Sequence, residues 1–332
     1  MKHQAYLFHF KYLLLAAIAL SLSWSVQAQD FAEEREPVTF ESVVDELIHS
    51  APQTIRVRNK TIDLVLFSLR KIGRLFPDAK IDSGKLILEK NLVFENCKLL
   101  GKGISNIDIT NLAFINCDIS SMTLSSIKAS SLEVSECNLK GIRIINSTLD
   151  RVKLVGNINT SGFGSMMIFK SKINFLLQLE ENDTYQNIGV VSSEIENIRL
   201  RDNKSSLTSL TNNRLAKQFQ VIDDLAEEFI LRGNKLIEDS IPSTIAVNSE
   251  KLVMLKNEFN APVQFADSKV ATKVEIADNK FLQPADFHDV SFPEFGKYVP
   301  FSQFQEGFVV YKSLYAEESP DGSNCFYCEL YE

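Results

Sequence analysis

Residues 94–154 read FENCKLLGKGISNIDITNLAFINCDISSMTLSSIKASSLEVSECNLKGIRIINSTLDRVKL. An apolar side chain falls on every fifth position: Phe94, Leu99, Ile104, Ile109, Phe114, Ile119, Leu124, Ala129, Val134, Leu139, Ile144, Leu149 and Leu154. Only 45% of the chain is hydrophobic, so an unbroken run of this length is not chance. A helix repeats every ~3.6 residues and a half-buried strand every two. Neither gives a period of five. The pattern requires a coiled backbone in which each short segment turns a corner and sends one side chain inward.

A longer repeat is superimposed on it. Asn96-Cys97-Lys98-Leu99, Asn116-Cys117-Asp118-Ile119 and Glu136-Cys137-Asn138-Leu139 recur at 20-residue spacing, so four segments make one coil. Stacked coils should lie ~4.8 Å apart with their backbones paired. The columns follow: Phe94, Phe114, Val134 and Leu154; Leu99, Ile119 and Leu139; Ile104, Leu124 and Ile144; Ile109, Ala129 and Leu149. Further apolar columns lie two positions earlier, among them Cys97, Cys117 and Cys137.

These residues resemble a pentapeptide-repeat protein. The resemblance implies a mainly β fold, a right-handed parallel β-helix. It covers about a fifth of the chain at full regularity. One departure is that the position two before the central residue, small in that family, is often Ile or Leu here. A bulkier core or a less square parallel β-helix is therefore also in play.

Beyond the strict region the period drifts. Gly156 to Gly164, rich in Gly, Asn, Thr and Ser, reads as a loop bulging from the stack. The phrase then becomes Asn-x-apolar, at Asn213, Asn234, Asn257 and Asn279, with spacings of 21, 23 and 22 residues. This predicts wider coils with Asn at a repeated corner, laddered to the next coil. No proline occurs between Pro77 and Pro242, which suits a continuous ladder.

A solenoid's open ends need covering. Phe40, Val43, Val44, Leu47 and Ile48 are spaced as one helix face. Residues 61–76 fit a strand at their start and a helix at their end. Phe301 to Ala316 reads as a helical, aromatic-rich segment, and Asn324 to Glu332 as the start of a second. The tail resembles the helical hairpin of some membrane-linked pentapeptide-repeat proteins. The expected organisation is a signal peptide at 1–28, a capping region at 29–85, regular coils at 86–155, less regular coils at 156–295 and a helical segment at 296–332.

The signal peptide is read from Lys2 and Lys11, the apolar stretch from Tyr12 to Leu22, and the small-x-small site Val26-Gln27-Ala28. Its removal takes away two lysines, and the net charge goes from −8 to −10. A dispersed acidic charge is poorly suited to gripping nucleic acid. The mature chain is expected in the periplasm or outside a bacterial cell, with no transmembrane segment after cleavage.

Cys97, Cys117 and Cys137 read as buried free thiols acting as small apolar residues. Parallel stacked side chains sit too far apart for an easy disulfide, and no His is near enough to suggest a metal. Cys325 and Cys328 form a C-x-x-C pair. A local disulfide or helix packing is favoured there over a redox dithiol or half a zinc site, because no second Cys pair exists. A glycan-active β-helix enzyme would need paired carboxylates on neighbouring coils. The candidates are Asp223-Asp224, Glu227-Glu228, Glu238-Asp239 and Asp286 with Asp289, all read as solvated turn residues forming no column with basic partners. The expectation is a non-enzymatic binding or scaffolding protein without catalytic residues, cofactor or metal. Its partner would be an envelope protein or cell-surface component. Alternatives are the soluble portion of a longer membrane-linked protein of channel or sensor type, and a polysaccharide-active enzyme.

Overall fold

The computed structural model describes residues 35–64, 73–237, 241–293, 303–305, 308–311 and 314–316. The chain divides into two units, Met1–Glu36 and Pro37–Glu332. Of the first, only residues 35 and 36 are described, so the expected signal peptide lies outside the described residues. The second unit is a parallel β-solenoid.

Each five-residue column stacks in register. Phe94 pairs with Phe114, Phe114 with Val134, and Val134 with Leu154. Ile119 lies between Leu99 and Leu139. Leu124 lies between Ile104 and Ile144, and Ala129 between Ile109 and Leu149. All of these side chains are buried in one continuous hydrophobic cluster that runs from Phe40 to Phe304. Identical rings stack where the register allows: Phe94 on Phe114 at 5.2 Å between centroids, and Phe265 on Phe287 at 4.5 Å.

Helix α1 (Phe40–His49) forms at the N-terminal end. Thr39 caps it, its hydroxyl accepting from the Ser42 N–H at 3.2 Å. Phe40, Val43, Val44 and Leu47 are buried against the cluster, as their spacing predicts. Of the ambiguous stretch after Lys60, Lys60–Leu64 is a strand paired with Lys98–Gly101, and residues 73–75 are helical.

The other end differs from expectation. Phe308–Tyr311 and Leu314–Ala316 are strands, paired parallel with Ala285–His288 and Ser291–Pro293. The helix read over Phe301 to Ala316 is therefore overturned for these residues. Phe308-Val309-Val310-Tyr311 is aromatic and β-branched, and the preceding coil offers it an unpaired strand edge. The proposed helical segment at Asn324 to Glu332 lies outside the described residues.

Two corners of each coil carry the same device. A residue with left-handed backbone comes first: Asn96, Asn116, Glu136, Gly156, Glu181, Asp202 and Asp223 at the first corner, and Asn106, Ser126, Asn146, Lys170, Ser192, Asn212 and Gly233 at the second. Many are Asn, Asp or Gly, the residues that tolerate this conformation best. The next residue turns its side chain inward. At the second corner the inward residues run Ile127, Ser147, Ser171, Ser193, Asn213, Asn234, Asn257, Asn279 and Gln303. Each from Ser147 onward accepts a hydrogen bond from the backbone N–H of its counterpart one coil earlier, over 2.9–3.2 Å. The turn removes that N–H from the strand ladder, and a buried N–H without a partner is costly. The predicted Asn ladder is thus real, and it answers a backbone need.

Candidate functional site

The first corner builds a second ladder: Cys97, Cys117, Cys137, Asn157, Asn182, Asn203 and Asp224. All are buried. The three cysteines are free thiols. The Cys117 N–H donates to Cys137 Sγ at 3.3 Å, and the Cys117 thiol donates to the Phe94 carbonyl at 3.4 Å. The Cys137 thiol beside it and burial push the Cys117 thiol up to about 12. The neighbouring Cys117 thiol and burial likewise push Cys97 up. Thiols of this kind are poor nucleophiles. Cys325 and Cys328 lie outside the described residues.

The asparagines each make two kinds of bond. Oδ1 of Asn157 accepts from the Cys137 N–H at 3.1 Å, while its Nδ2 donates to the Val134 carbonyl at 2.9 Å. Asn182 Nδ2 donates to Leu154 O, and Asn203 Nδ2 to Leu179 O, both at 2.8 Å. Asp224 ends this run. Its Oδ1 accepts from the N–H and Nδ2 of Asn203, at 3.1 and 2.9 Å. Its Oδ2 is buried with no hydrogen-bond partner among the described residues. Burial, with smaller contributions from Asp202 and Asp223, pushes this carboxyl up to about 7.

One coil then departs from the pattern. Val221 pairs with Ile245 and Asp224 with Val247, so Ile222 and Asp223 face the single residue Ala246. Ile245 pairs with Phe265, while Asn248 pairs with Lys269. Ala266 and Asp267 therefore also face Ala246 alone. The corner at Ala246 is one residue short and lacks the left-handed residue found at Asp223 and Asp267. The shortened corner leaves a recess of about 660 Å³ with Ala246 and Val247 in its lining.

The recess is walled by charge. Asp202 and Asp223 before the Ala246 corner and Asp267 and Asp289 after it stand at outward corner positions around the recess, with Lys204 and Lys269 on the strands that follow. Asp202 is paired with Arg201 at 3.2 Å and Asp289 with His288 at 3.0 Å. Asp223 and Asp267 have no ion-pair partner among the described residues. A second recess of about 560 Å³ adjoins the first, sharing Lys204, Leu225 and Asn248. Ser205, Ser206 and Ser249 line it, and Gly162 of the bulging loop overhangs one end. The loop reading holds for Thr160 to Gly164, where Phe163 is 83% exposed, whereas Gly156 to Ile158 stay in the stack, Ile158 bridging Asn138 and Asp183. At its base the chain runs so close to the preceding coil that a Cβ on Gly164 would lie 1.7 Å from the Lys140 carbonyl oxygen.

The acidic pairs read as solvated turns are therefore corrected in two places. Asp224 is in the core, 1% exposed, while its neighbour Asp223 is outside. The outer carboxylates do form a column, accompanied by lysines. Asp286 sits on the strand Ala285–His288, away from the corner that carries Asp289; Glu238 and Asp239 lie outside the described residues. The recess residues Asp202, Lys204, Asp267 and Lys269 were missed from sequence. A signal existed: the dipeptides Asp202-Asn203, Asp223-Asp224, Asp267-Ser268 and Asp278-Asn279 each place a left-handed residue before a buried polar one. Among the described residues no group of His, Cys, Asp and Glu is arranged to hold a metal, and no helix is long and apolar enough to cross a membrane. No family model, no curated protein and no solved structure matches this chain.

Proposed function

We propose that this chain is a non-enzymatic, exported binding or scaffolding protein on a pentapeptide-repeat-like solenoid. Its partner, an envelope protein or cell-surface component, seats along the recessed side from Asp183 to Ser291. The observation that carries this reading is the pair of adjoining recesses on one lateral side, joined through Lys204, Leu225 and Asn248. Concave surface with a few convergent polar groups is where ligands are bound, and solenoids use such extended sides for recognition.

The test is capture from envelope extract by the immobilised mature protein. Ser206→Trp and Ala271→Trp, which project into the second recess, should each abolish capture. Lys217→Ala, on the other side of the coil, should leave it intact. Equal capture by all four proteins would sink the reading. The acidic row beside Lys204 and Lys269 is also an arrangement that suits a polysaccharide-active enzyme. Turnover of acidic or neutral polysaccharides that is lost in Asp223→Asn would replace the binding reading with that one.

A further inference from the structure

We infer that Asp224 is held protonated in the folded protein, and that withdrawing its proton loosens the coils behind the acidic recess. A ladder position demands both an acceptor and a donor. Asn157, Asn182 and Asn203 each present an oxygen toward the preceding corner and a nitrogen toward a carbonyl of the preceding coil. Those carbonyls belong to Val134, Leu154 and Leu179, which stack in one register column continued by Leu200. At Asp224 the accepting oxygen is in place, bonded to both Asn203 donors. The other oxygen is buried with no hydrogen-bond partner among the described residues, and continuing the column by one coil assigns it the Leu200 carbonyl. Two oxygens without a hydrogen between them repel. A protonated carboxyl supplies that hydrogen and completes the ladder as asparagine does.

The surroundings favour the same state. Among the described residues no positive side chain is bonded to Asp224. The charges of Asp202 and Asp223 are negative and raise it further. Arg199 and Arg201 on the preceding coil are engaged by Glu180, the former at 3.0 Å. Lys204 is drawn to Asp183 at 3.3 Å. Asp267 and Lys269 face outward into the recess. The residues on either side of Asp224, and its register partner Val247, line that recess. The proton therefore sits directly behind the proposed binding wall, although the inference needs no ligand.

An aspartate in the unfolded chain ionises near 3.8, and this one near 7 when folded. Between those values the folded state binds the extra proton, so stability falls as pH rises through that window. Above it the loss is complete. Below it none is felt.

The experiment is thermal unfolding of the full chain and of Asp224→Asn, followed by circular dichroism from pH 4 to 8. Asn supplies the donor permanently. The variant's midpoint should exceed that of the wild type by a gap that opens by a few degrees between pH 4 and 7 and is constant above. Comparison with the variant removes the contributions of all other carboxylates. A gap that is independent of pH, or that opens toward acid, overturns the inference. Should the variant fail to fold, carbon-13 titration of labelled aspartates in the wild type decides. One carboxyl with a midpoint near 7 is expected, and complete ionisation of all by pH 5.5 overturns it.

Discussion

The coils of residues 94–154 and those of residues 165–293 share one backbone device and fill its corners differently. In the first region the inward corner residue is Cys or Ile as far as Ser147, and the cysteine contacts are weak ones, such as Cys117 N–H to Cys137 Sγ at 3.3 Å. In the second region it is Asn at most coils, and each Asn also reaches back to a carbonyl, as Asn234 does to Leu210 O at 2.7 Å. The difference follows from spacing. Strict 20-residue coils keep every apolar column in line, and packing alone holds them. Coils of 21 to 25 residues carry bulges, at Leu149/Arg151, Ile173/Leu177 and Ile195/Asn197. There the amide ladder holds the corner fixed while the strands adjust. Regularity of sequence and polarity of the core are thus exchanged along one molecule.

Three substitutions and one reagent test the distinction between the two regions. The largest effect is expected from Ile119→Asp, which buries an unpaired charge in the packing-held region. It should cost more than about 4 kcal/mol and melt several coils together, seen as a lost or much earlier cooperative transition in circular dichroism. Next is Asn234→Leu in the ladder-held region. It strips the Asn213 N–H and the Leu210 carbonyl of their partners, and should cost about 2–4 kcal/mol. Cys117→Ala, at the equivalent device in the first region, should cost only about 1 kcal/mol. Equal losses in urea unfolding for the last two would erase the distinction between the regions. The smallest perturbation is a thiol reagent at neutral pH: Cys97, Cys117 and Cys137 should be silent in the native protein and react fully in denaturant. Fast native labelling would show that the first region's corners open.

How much was legible follows from the range of each signal. The inward columns from Phe94 to Leu154 were readable because a fixed period makes every coil repeat its neighbour, and a local rule then specifies a long-range register. Helix α1 was readable from five apolar residues on one face, Phe40, Val43, Val44, Leu47 and the partly buried Ile48. The tail at Phe308–Tyr311 was misread because its spacing fits a helix in isolation, whereas the strand edge of the preceding coil pairs with it. Asp224 was misread along with its exposed neighbour Asp223 because adjacent aspartates look equivalent until a corner separates them.

The sequence by itself determined that this chain coils, where its regular coils run, and that Asn marks a recurring corner. Those features depend on residues whose neighbours carry the same pattern. Tertiary structure alone decided that Ala246 is one residue short, that Asp223 faces out while Asp224 faces in, and that four carboxylates meet at one recess. These depend on which residues 21 to 23 positions apart come to lie side by side. A single missing residue in a drifting period fixes that alignment only after the coils have stacked.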